Sequence, residues 1–355
     1  MLDMFPIGRP TLSFAKRVGI LIRMTSSARN AVLAVGVLLL GLVLITYGTF
    51  AYLRHSVDAR IHHLSVKVDD PPLRASPAPQ NSMLERARNA LPLNFLILGS
   101  DSHFHGSDPR DWHEGAQRSD VIMLLQLNGD RSGASVLSLP GDLLVSVPGE
   151  GDSPLNAVYP RGGADLLIQT VRHLMNIPIH HFAVIDFESL SEVTDVIGGV
   201  DISTSAGERH FDGAQAMRFV REHPDSAQAE IASVCRQQVW IRSILGNIME
   251  RNLLADPHQL GQIVEAFLAH SAFDQGLTFD SLLALALESH QLRSRHIAFL
   301  TAPIDGPSVG PHGEPVLLPH AKALAGLAQA WSQDRVEEYV ASSGDIQLLD
   351  AVPVR

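Results

Sequence analysis

Short apolar runs alternate with longer amphipathic segments over most of the chain beyond residue 93. Runs rich in Val, Ile and Leu predict strands at residues 94–98, 121–127, 134–139, 182–186 and 200–203. Apolar residues at helical spacing predict helices at residues 163–175, 187–197, 213–222, 237–251, 257–270 and 278–289. Strands that alternate with helices in this way predict an α/β fold, a three-layer α-β-α sandwich with a central mixed sheet.

A long apolar segment precedes this alternation. Residues 31–53 contain no charged side chain, and Arg54 ends the run. A helix of this length spans the roughly 30 Å hydrocarbon core of a bilayer, so the segment predicts one transmembrane helix. The rival interpretations are a cleaved signal peptide and a buried core helix. A signal peptide has a shorter apolar region and a small-residue cleavage site, whereas Tyr47, Phe50 and Tyr52 end this run.

The charges before the apolar segment determine its predicted orientation. Residues 1–30 carry several basic side chains and only one acidic side chain, Asp3. This positive excess predicts a cytoplasmic N-terminal segment and a single pass through the cell (inner) membrane. Everything after the apolar segment is then expected to be periplasmic or extracellular.

Residues 54–92 are expected to form a stalk and linker. Ile61, Leu64 and Val68 lie at helical spacing, which predicts an amphipathic stalk over residues 54–68.

The linker proper begins at residue 69. Residues 69–80 are rich in proline and cannot pack as a helix, and residues 82–89 predict a short helix that leads into the domain. The pattern beyond this point contains no internal repeat and no second compositional break. Residues 93–345 are therefore expected to form one exported domain.

The composition excludes several classes of protein. The formal net charge of -11 argues against a general nucleic-acid binder. The single cysteine, Cys235, excludes an intramolecular disulfide framework and a cysteine-based zinc site. The sequence contains neither a Gly-x-Ser-x-Gly elbow nor a glycine-rich phosphate loop, which excludes the common serine hydrolases and P-loop enzymes.

Two aspartates and an arginine flank the first pair of predicted strands. Asp101 follows the strand at residues 94–98, and Arg118 and Asp120 precede the strand at residues 121–127. Functional side chains commonly lie on loops at strand ends. A carboxylate pair suits a divalent metal, and an arginine suits the phosphate that such a metal accompanies. Both aspartates could equally cap turns beside the strands, so their spacing leaves the two interpretations open.

Three histidines near these aspartates raise the alternative of a zinc or manganese hydrolase. His103, His105 and His113 lie between the two predicted strands. Loop histidines are usually solvated, and a chain with 17 histidines places some of them near carboxylates by chance. The transition-metal site is therefore the weaker interpretation.

Further polar motifs follow in the order of the predicted elements. Ser-Leu-Pro-Gly-Asp at residues 138–142 ends the third strand, and Leu-Asn-Ala-Val-Tyr occupies residues 155–159. A Gly-Gly pair at residues 162–163 permits a tight helix start. Arg221 lies near the end of a predicted helix, and Arg-Gln-Gln at residues 236–238 opens the next one.

In their order and spacing, these motifs and the two aspartates resemble the LytR-CpsA-Psr family over residues 93–334. The apolar segment before the domain also fits that family's layout. The resemblance implies a phosphotransferase that moves a glycopolymer from a polyisoprenyl-pyrophosphate carrier to peptidoglycan or another envelope acceptor. It further implies a magnesium ion and several arginines around the pyrophosphate, a greasy tunnel for the prenyl tail, and a site at the membrane surface.

The resemblance also assigns roles to individual residues. The implied catalytic residues are Asp101, Asp120, Arg118 and Arg221, and the two aspartates are the implied Mg²⁺ ligands. The implied substrate contacts are Arg118, Arg221, Arg236, Gln237, Asp142 and Asn156.

The basic half of the implied site departs from the family pattern. Other residues stand where the family usually carries a basic side chain: His103, Gly141, Pro154, His223 and Ser233. Glu230 stands where an aspartate is usual. The loop residues Arg110, Arg131 and Arg161 are candidates to replace part of the missing charge.

These departures leave a second function open, a non-catalytic envelope module that binds polyprenyl phosphate or glycan. The family is also labelled a transcriptional attenuator, which suggests a regulator as a third function. An acidic exported domain and the absence of a helix-turn-helix signal argue against that regulator.

Overall fold

The structure is a computed structural model that describes residues 54–55, 57–69, 91–100, 121–204, 207–221, 227–251, 253, 256–343, 346 and 349. The predicted cytoplasmic segment, transmembrane helix, proline-rich linker and short helix at residues 82–89 lie outside these ranges. Within them, no helix is both long and apolar enough to cross a membrane.

Long-range pairing joins seven strands of the described chain into one mixed sheet, in the order β1-β10-β7-β2-β3-β4-β11. Neighbouring strands run parallel in the pairs β1/β10, β7/β2 and β4/β11, and antiparallel in the other pairs. The remaining strands form three separate hairpins, β5/β6, β8/β9 and β12/β13. The strands are β1 (His62–Leu64), β2 (Leu93–Ser100), β3 (Val121–Leu127), β4 (Ala134–Leu139), β5 (Leu144–Val147), β6 (Gly151–Pro154), β7 (His181–Asp186), β8 (Val200–Thr204), β9 (Gly207–Phe211), β10 (Ser271–Asp274), β11 (Ile297–Thr301), β12 (Ile304–Val309) and β13 (Pro315–Pro319).

Helices cover both faces of this sheet, because its central strands are apolar at nearly every position. On one face, Leu96 and Leu124 pack with α1 and α7, and on the other, Val121 and Met123 pack with α2, α4 and α5. The fold is therefore the predicted mixed α/β arrangement. The helices are α1 (Val158–Met175), α2 (Phe187–Val196), α3 (Gly213–Arg221), α4 (Ala227–Glu250), α5 (Pro257–Ala269), α6 (Phe279–Glu288), α7 (Ala321–Ser332) and α8 (Val336–Ser342).

The predicted elements are largely confirmed, with two differences that affect the site. The strand predicted at residues 200–203 exists but pairs with β9 in a hairpin and not with the central sheet. Helix α4 begins at Ala227, well before the predicted start at residue 237. The Arg-Gln-Gln motif therefore lies inside a helix, so its side chains project from a rigid and packed element. Helix α1 begins at Val158 but is interrupted at Gly163, which has φ 61° and ψ -157°. The longer part of α1 starts after this kink, close to the predicted helix start at residue 163.

The prediction of an amphipathic stalk over residues 54–68 is wrong. His62–Leu64 is a strand that pairs in parallel with β10, and Ile61 and Leu64 are buried. Two buried residues three positions apart do not by themselves define a helix. Pairing with a strand about 200 residues later decides the outcome. Folded structure of the described chain therefore begins before residue 93.

One edge of the central sheet collects the ends of several strands. Ser100 at the end of β2 is in register with Asp186 at the end of β7. Gly99 pairs with Val121 at the start of β3, and Ile122 pairs with Leu139 at the end of β4. The polar motifs that follow these strands therefore converge at this edge.

Candidate functional site

The loop after β4 is held in place by two polar side chains. Asn156 donates from its backbone N–H to the Gly141 carbonyl (2.8 Å) and from Nδ2 to Asp142 Oδ1 (3.0 Å). Glu230 Oε1 accepts a hydrogen bond from the Gly141 N–H (3.0 Å). The structure thus brings Asp142, Asn156 and Glu230 together at the strand edge. A carboxylate lies against the position where the family usually carries an arginine.

Arg221 ends α3 at the same edge. Its guanidinium lies 5.9 Å from the centroid of the Phe187 ring, at the start of α2. Arg221 is also close enough to lower the pKa of Asp186, the residue before that phenylalanine. The arginine that the sequence assigns to pyrophosphate binding therefore lies at the ends of β2 and β7.

Asp186 is a buried carboxylate that the sequence reasoning did not select. Burial raises the pKa of Asp186, whereas the hydrogen bond from the Glu188 N–H and the charges of His270 and Arg221 lower it. Its Oδ1 caps α2 by accepting from Glu188 N–H at 2.9 Å. The available signal was its place at the end of an apolar strand, the same signal that selected Asp101.

Three successive residues of α4 face different surroundings. Gln238 Nε2 donates to Ser138 Oγ (2.8 Å) and to the Leu300 carbonyl (2.7 Å), which fastens the helix to β4 and β11. Gln237 donates to Ser233 Oγ (3.3 Å), and its buried Oε1 accepts no hydrogen bond from any described residue. Arg236, the residue before Gln237 on this helix, is also buried. Gln237 is thus placed to serve a ligand, whereas Gln238 is structural.

An apolar cavity of about 360 Å³ lies between the sheet and helices α2, α4 and α5. Every residue that lines it is apolar except Gln237. Along α4 the lining continues through Trp240 and Ile244 to Ile248, a distance of about 16 Å at the helical rise. The composition of these helices could not distinguish an ordinary core from a tunnel, and the structure contains an open cavity.

The polar edge and the apolar cavity meet at one place. Gly99, Val121, Phe187 and Gln237 all line the cavity and all lie at the strand edge that carries Arg221. A Cβ atom at Gly99 would lie 2.7 Å from Val121 Cβ, so only glycine permits this close pairing of β2 and β3. The arrangement suits an amphiphile with an anionic head and a long apolar tail.

One of the arginines proposed to replace missing charge lies far from this site. Arg131 is buried in the turn after β3, where it donates to the Leu91 carbonyl (3.1 Å) and pairs with Glu288 (3.5 Å). This turn lies at the opposite edge of the sheet, so the suggestion that Arg131 compensates is wrong. Arg161 donates to Ser153 Oγ (2.7 Å) and pairs with Glu150 (3.2 Å) beside the β5/β6 hairpin. Its contribution to the site stays a prediction.

Several predicted site residues lie outside the described residues, so their positions stay predictions. They are Asp101, Arg118, Asp120 and His223, together with His103, His105, Arg110 and His113. Chain connectivity places Asp101 two residues after Gly99 and Asp120 one residue before Val121. Among the residues that the structure does describe, no group of three or more His, Cys, Asp or Glu side chains is arranged to hold a metal.

Comparison with known proteins identifies a family and several relatives. The profile of the LytR-CpsA-Psr family matches residues 62–329. The polyisoprenyl-teichoic acid–peptidoglycan teichoic acid transferase TagU of Bacillus anthracis is 26% identical over 220 residues, which cover 58% of this chain and 68% of that protein. The probable cell wall biosynthesis protein LcpB of Corynebacterium glutamicum is 31% identical over 243 residues, which cover 62% of this chain and 53% of that protein.

Solved structures share the fold. The crystal structure of Bacillus subtilis TagV superposes with a TM-score of 0.55 and 20% sequence identity, covering 69% of this chain and 97% of that one. The family profile covers most of the chain, from β1 to α7, and includes every described motif of the site. This chain belongs to the LytR-CpsA-Psr family.

Proposed function

We propose that the protein is a membrane-anchored phosphotransferase that moves a glycopolymer from a polyisoprenyl-pyrophosphate carrier to peptidoglycan or another envelope acceptor. The observation that carries this proposal is the apolar cavity whose lining reaches the strand edge at Phe187, beside Arg221. The names of the relatives as teichoic acid transferases and a cell wall biosynthesis protein support the same class of reaction.

The cavity accounts for the lipid half of the substrate. Its lining offers no charge and only one polar side chain, Gln237, which lies at the end nearest the polar edge. Each methylene of a prenyl tail that leaves water for such a lining contributes roughly 0.8 kcal/mol. An apolar tail along α4 would place its headgroup beside Gln237 and Arg221. The Nε2 amide of Gln237, which donates to Ser233 Oγ (3.3 Å), carries a second hydrogen that it would donate to a phosphate oxygen of the ligand.

The polar edge accounts for the transfer step. The acceptor hydroxyl would form a bond to the phosphorus next to the glycan, while the bond from that phosphorus to the lipid-side phosphate oxygen breaks. Polyprenyl monophosphate is then the leaving group, and the hydroxyl proton passes to a base. Such a transfer depends mainly on positioning and on neutralising negative charge. Arg221, Arg236 and the predicted contact Arg118 are the residues of this chain suited to that task.

The predicted Mg²⁺ site fits the kind of donors that the chain provides. Asp101 and Asp120 would supply carboxylate oxygens, the donor type that Mg²⁺ prefers. Asp101 follows Gly99 by two residues and Asp120 directly precedes Val121, and this pair of β2 and β3 residues lines the cavity. A bound Mg²⁺ would neutralise pyrophosphate charge, and the arginines would orient the two phosphates.

The location of the enzyme follows from its substrate. A carrier with a long prenyl tail stays in the bilayer, so the enzyme has to act at the membrane surface. The charge-free segment at residues 31–53 would hold the domain there, on the periplasmic or extracellular side.

A second function, a module that binds the lipid carrier without turnover, is favoured by the surroundings of Gly141 and Ser233. Glu230 Oε1 accepts from the Gly141 N–H, and the Ser233 hydroxyl accepts from Gln237. Among the described residues, a carboxylate and an amide therefore contact the two positions where the family usually carries arginines. Each charge-assisted hydrogen bond to phosphate contributes roughly 1.5–3 kcal/mol. Loss of several such bonds would weaken transition-state binding by orders of magnitude, while the cavity would still hold the tail.

Transfer of a labelled lipid-linked polymer by the purified full-length chain, with Asp101→Ala as the matched variant, separates the two functions. We expect magnesium-dependent transfer that the variant loses. Tight binding of polyprenyl phosphate without any transfer, in the presence of Mg²⁺ and acceptor, would reject the enzyme and support the binding module.

A further inference from the structure

We propose that helix α6 and the residue Leu91 form a surface that rests on the lipid bilayer. The proposal rests on the proposed function, because it uses the predicted transmembrane segment at residues 31–53. We call this surface the α6 surface and define it by Leu91, Leu283 and Leu287.

The central part of helix α6 is apolar on all sides and yet is not buried, and exposed Asp280 marks the first turn of its outward face. Residues 282–287 are all Leu or Ala, and none of the residues of this helix is buried. Leu282 and Leu285 pack inward against two clusters of the domain. Leu283 and Leu287 lie on the other side, and Leu287 is 52% exposed. An outward face on a soluble helix is normally polar, so this face indicates an apolar partner.

Leu91 extends the same apolar surface. It is 59% exposed, and its carbonyl accepts a hydrogen bond from Arg131, whose guanidinium also pairs with Glu288 at the end of α6. Leu91 and Leu287 are thus held at the same end of the helix. They are two of the few large hydrophobic side chains that are strongly exposed in the described part of the chain.

The path of the chain identifies the partner. Asp58 Oδ1 accepts a hydrogen bond from the Phe279 N–H at the start of α6 (3.0 Å), and Val57 packs in the same cluster as Leu282. Only a few residues separate Val57 from Leu53, the last residue of the predicted membrane span. A fully extended chain of this length covers about 14 Å. Val57 and the start of α6 therefore lie close to the surface of the bilayer.

The charges around the surface favour an apolar rather than an electrostatic contact. Arg60 pairs with Glu265 (2.7 Å), and Arg131 pairs with Glu288 (3.5 Å), so these opposite charges cancel. Asp280 is exposed in the first turn of α6 and adds a negative charge. Arg293 is exposed shortly after α6, where it donates to the His290 carbonyl, and adds a positive charge. The charges around the surface are thus of both signs, so contact with a neutral bilayer and little dependence on salt are expected.

The α6 surface is also close to the proposed lipid cavity. Phe267 lines the cavity and packs in the cluster that contains Val57 and Leu282. The side of the domain that faces the bilayer therefore shares a wall with the cavity. This placement suits a substrate whose tail has to pass between the membrane and the protein.

Site-directed fluorescence in the full-length chain tests the proposal. Leu287→Cys carries an environment-sensitive dye, and Val309→Cys on the β12/β13 hairpin is the matched control, since Val309 is 70% exposed. The native Cys235 is buried, and burial raises the pKa of its thiol, so the unmodified chain measures background labelling. Each protein is reconstituted in phosphatidylcholine vesicles, with or without doxyl-labelled phosphatidylcholine.

We expect doxyl lipid to reduce the fluorescence at position 287 about twofold and to leave position 309 nearly unchanged, at low and high salt. Equal quenching at both positions, or none at 287 in protein that floats with the vesicles, would overturn the α6 surface while leaving the anchor intact. A blue-shifted but unquenched dye at 287 would assign the surface to a protein partner and also overturn it. Protein that does not float with vesicles would reject both the anchor and this surface.

Discussion

Replacing Ile244 with phenylalanine tests whether the apolar cavity holds the prenyl tail. Ile244 is buried on α4 and lines the cavity near its middle, between Gln237 and Ile248. A larger side chain at this position projects into open space, so it shortens the cavity without overpacking a dense core. The free energy of unfolding is expected to change by less than about 1 kcal/mol.

The effect on lipid binding follows from the part of the tail that is displaced. Ile244 lies about 10 Å along the lining that begins at Gln237, so an obstruction there excludes the last ~6 Å, which holds roughly four or five carbon groups of the tail. At roughly 0.8 kcal/mol for each group, the binding free energy falls by about 3–4 kcal/mol. This loss raises the dissociation constant about 100- to 1000-fold. The assay is the binding of a fluorescent polyprenyl phosphate to the full-length chain, with thermal unfolding measured in parallel.

A control on the same helix separates the cavity from the helix itself. Val239 is half-buried on α4 and does not line the cavity, so Val239→Phe is expected to bind the lipid as the natural chain does. Unchanged lipid affinity in folded Ile244→Phe protein would refute the assignment of the cavity to the tail. Equal losses in both variants would show that the helix, and not the cavity, is responsible.

The remaining predictions concern the headgroup, the core and pH. Arg221→Ala should lower kcat/KM for transfer about 10- to 100-fold through loss of a charge-assisted bond to phosphate, whereas Arg218→Ala on the same helix should not. Gln238→Leu should lower the free energy of unfolding by about 2 kcal/mol in denaturant titration, because its buried acceptors lose their donor. Burial, and then the charge of His181, lowers the pKa of His180 below its ordinary 6.5, and its Nδ1 accepts from the Asn94 N–H. The unfolded chain therefore binds more protons there, so stability should fall as pH drops below 6.5, and His180→Asn should reduce that dependence in thermal unfolding.

The function that the site supports depends on a balance between two halves. The lipid half is well formed, since the cavity is apolar along its length and ends at Gln237. The cationic half contains fewer arginines than is usual in the family, because Gly141 and Ser233 stand where arginines that would bind phosphate are expected. Arg221 and Arg236 are the described cations at this edge, and both are rigidly held on helices. The lipid and headgroup predictions therefore measure the two halves separately.

The sequence by itself determined the central strands and the edge at which the motifs converge. β3 and β4 have the predicted bounds. A short, unbroken apolar run between polar loops is typical of a strand that is buried on both faces of a sheet. The placement of Asp142 at this edge followed from its position after a strand, whereas the roles of Asn156, Arg221 and Gln237 were implied by the family resemblance. The inferences about strands and strand ends use only local periodicity and connection rules.

Only the tertiary structure decided which segments join the sheet and what surrounds each charge. β1 pairs with β10, which lies about 200 residues later, so no local pattern could distinguish that strand from a stalk helix. Arg131 bonds to Leu91 and Glu288 instead of a ligand, and Glu230 reaches Gly141, which lies 89 residues earlier in the chain. The cavity likewise arises from a gap between helices whose residues are indistinguishable from core residues by type. Hydrophobic periodicity predicts which side of a helix or strand is buried. The hydrogen-bond and ion-pair partners of a side chain, and the cavities between elements, depend on chain segments that meet only in the folded protein.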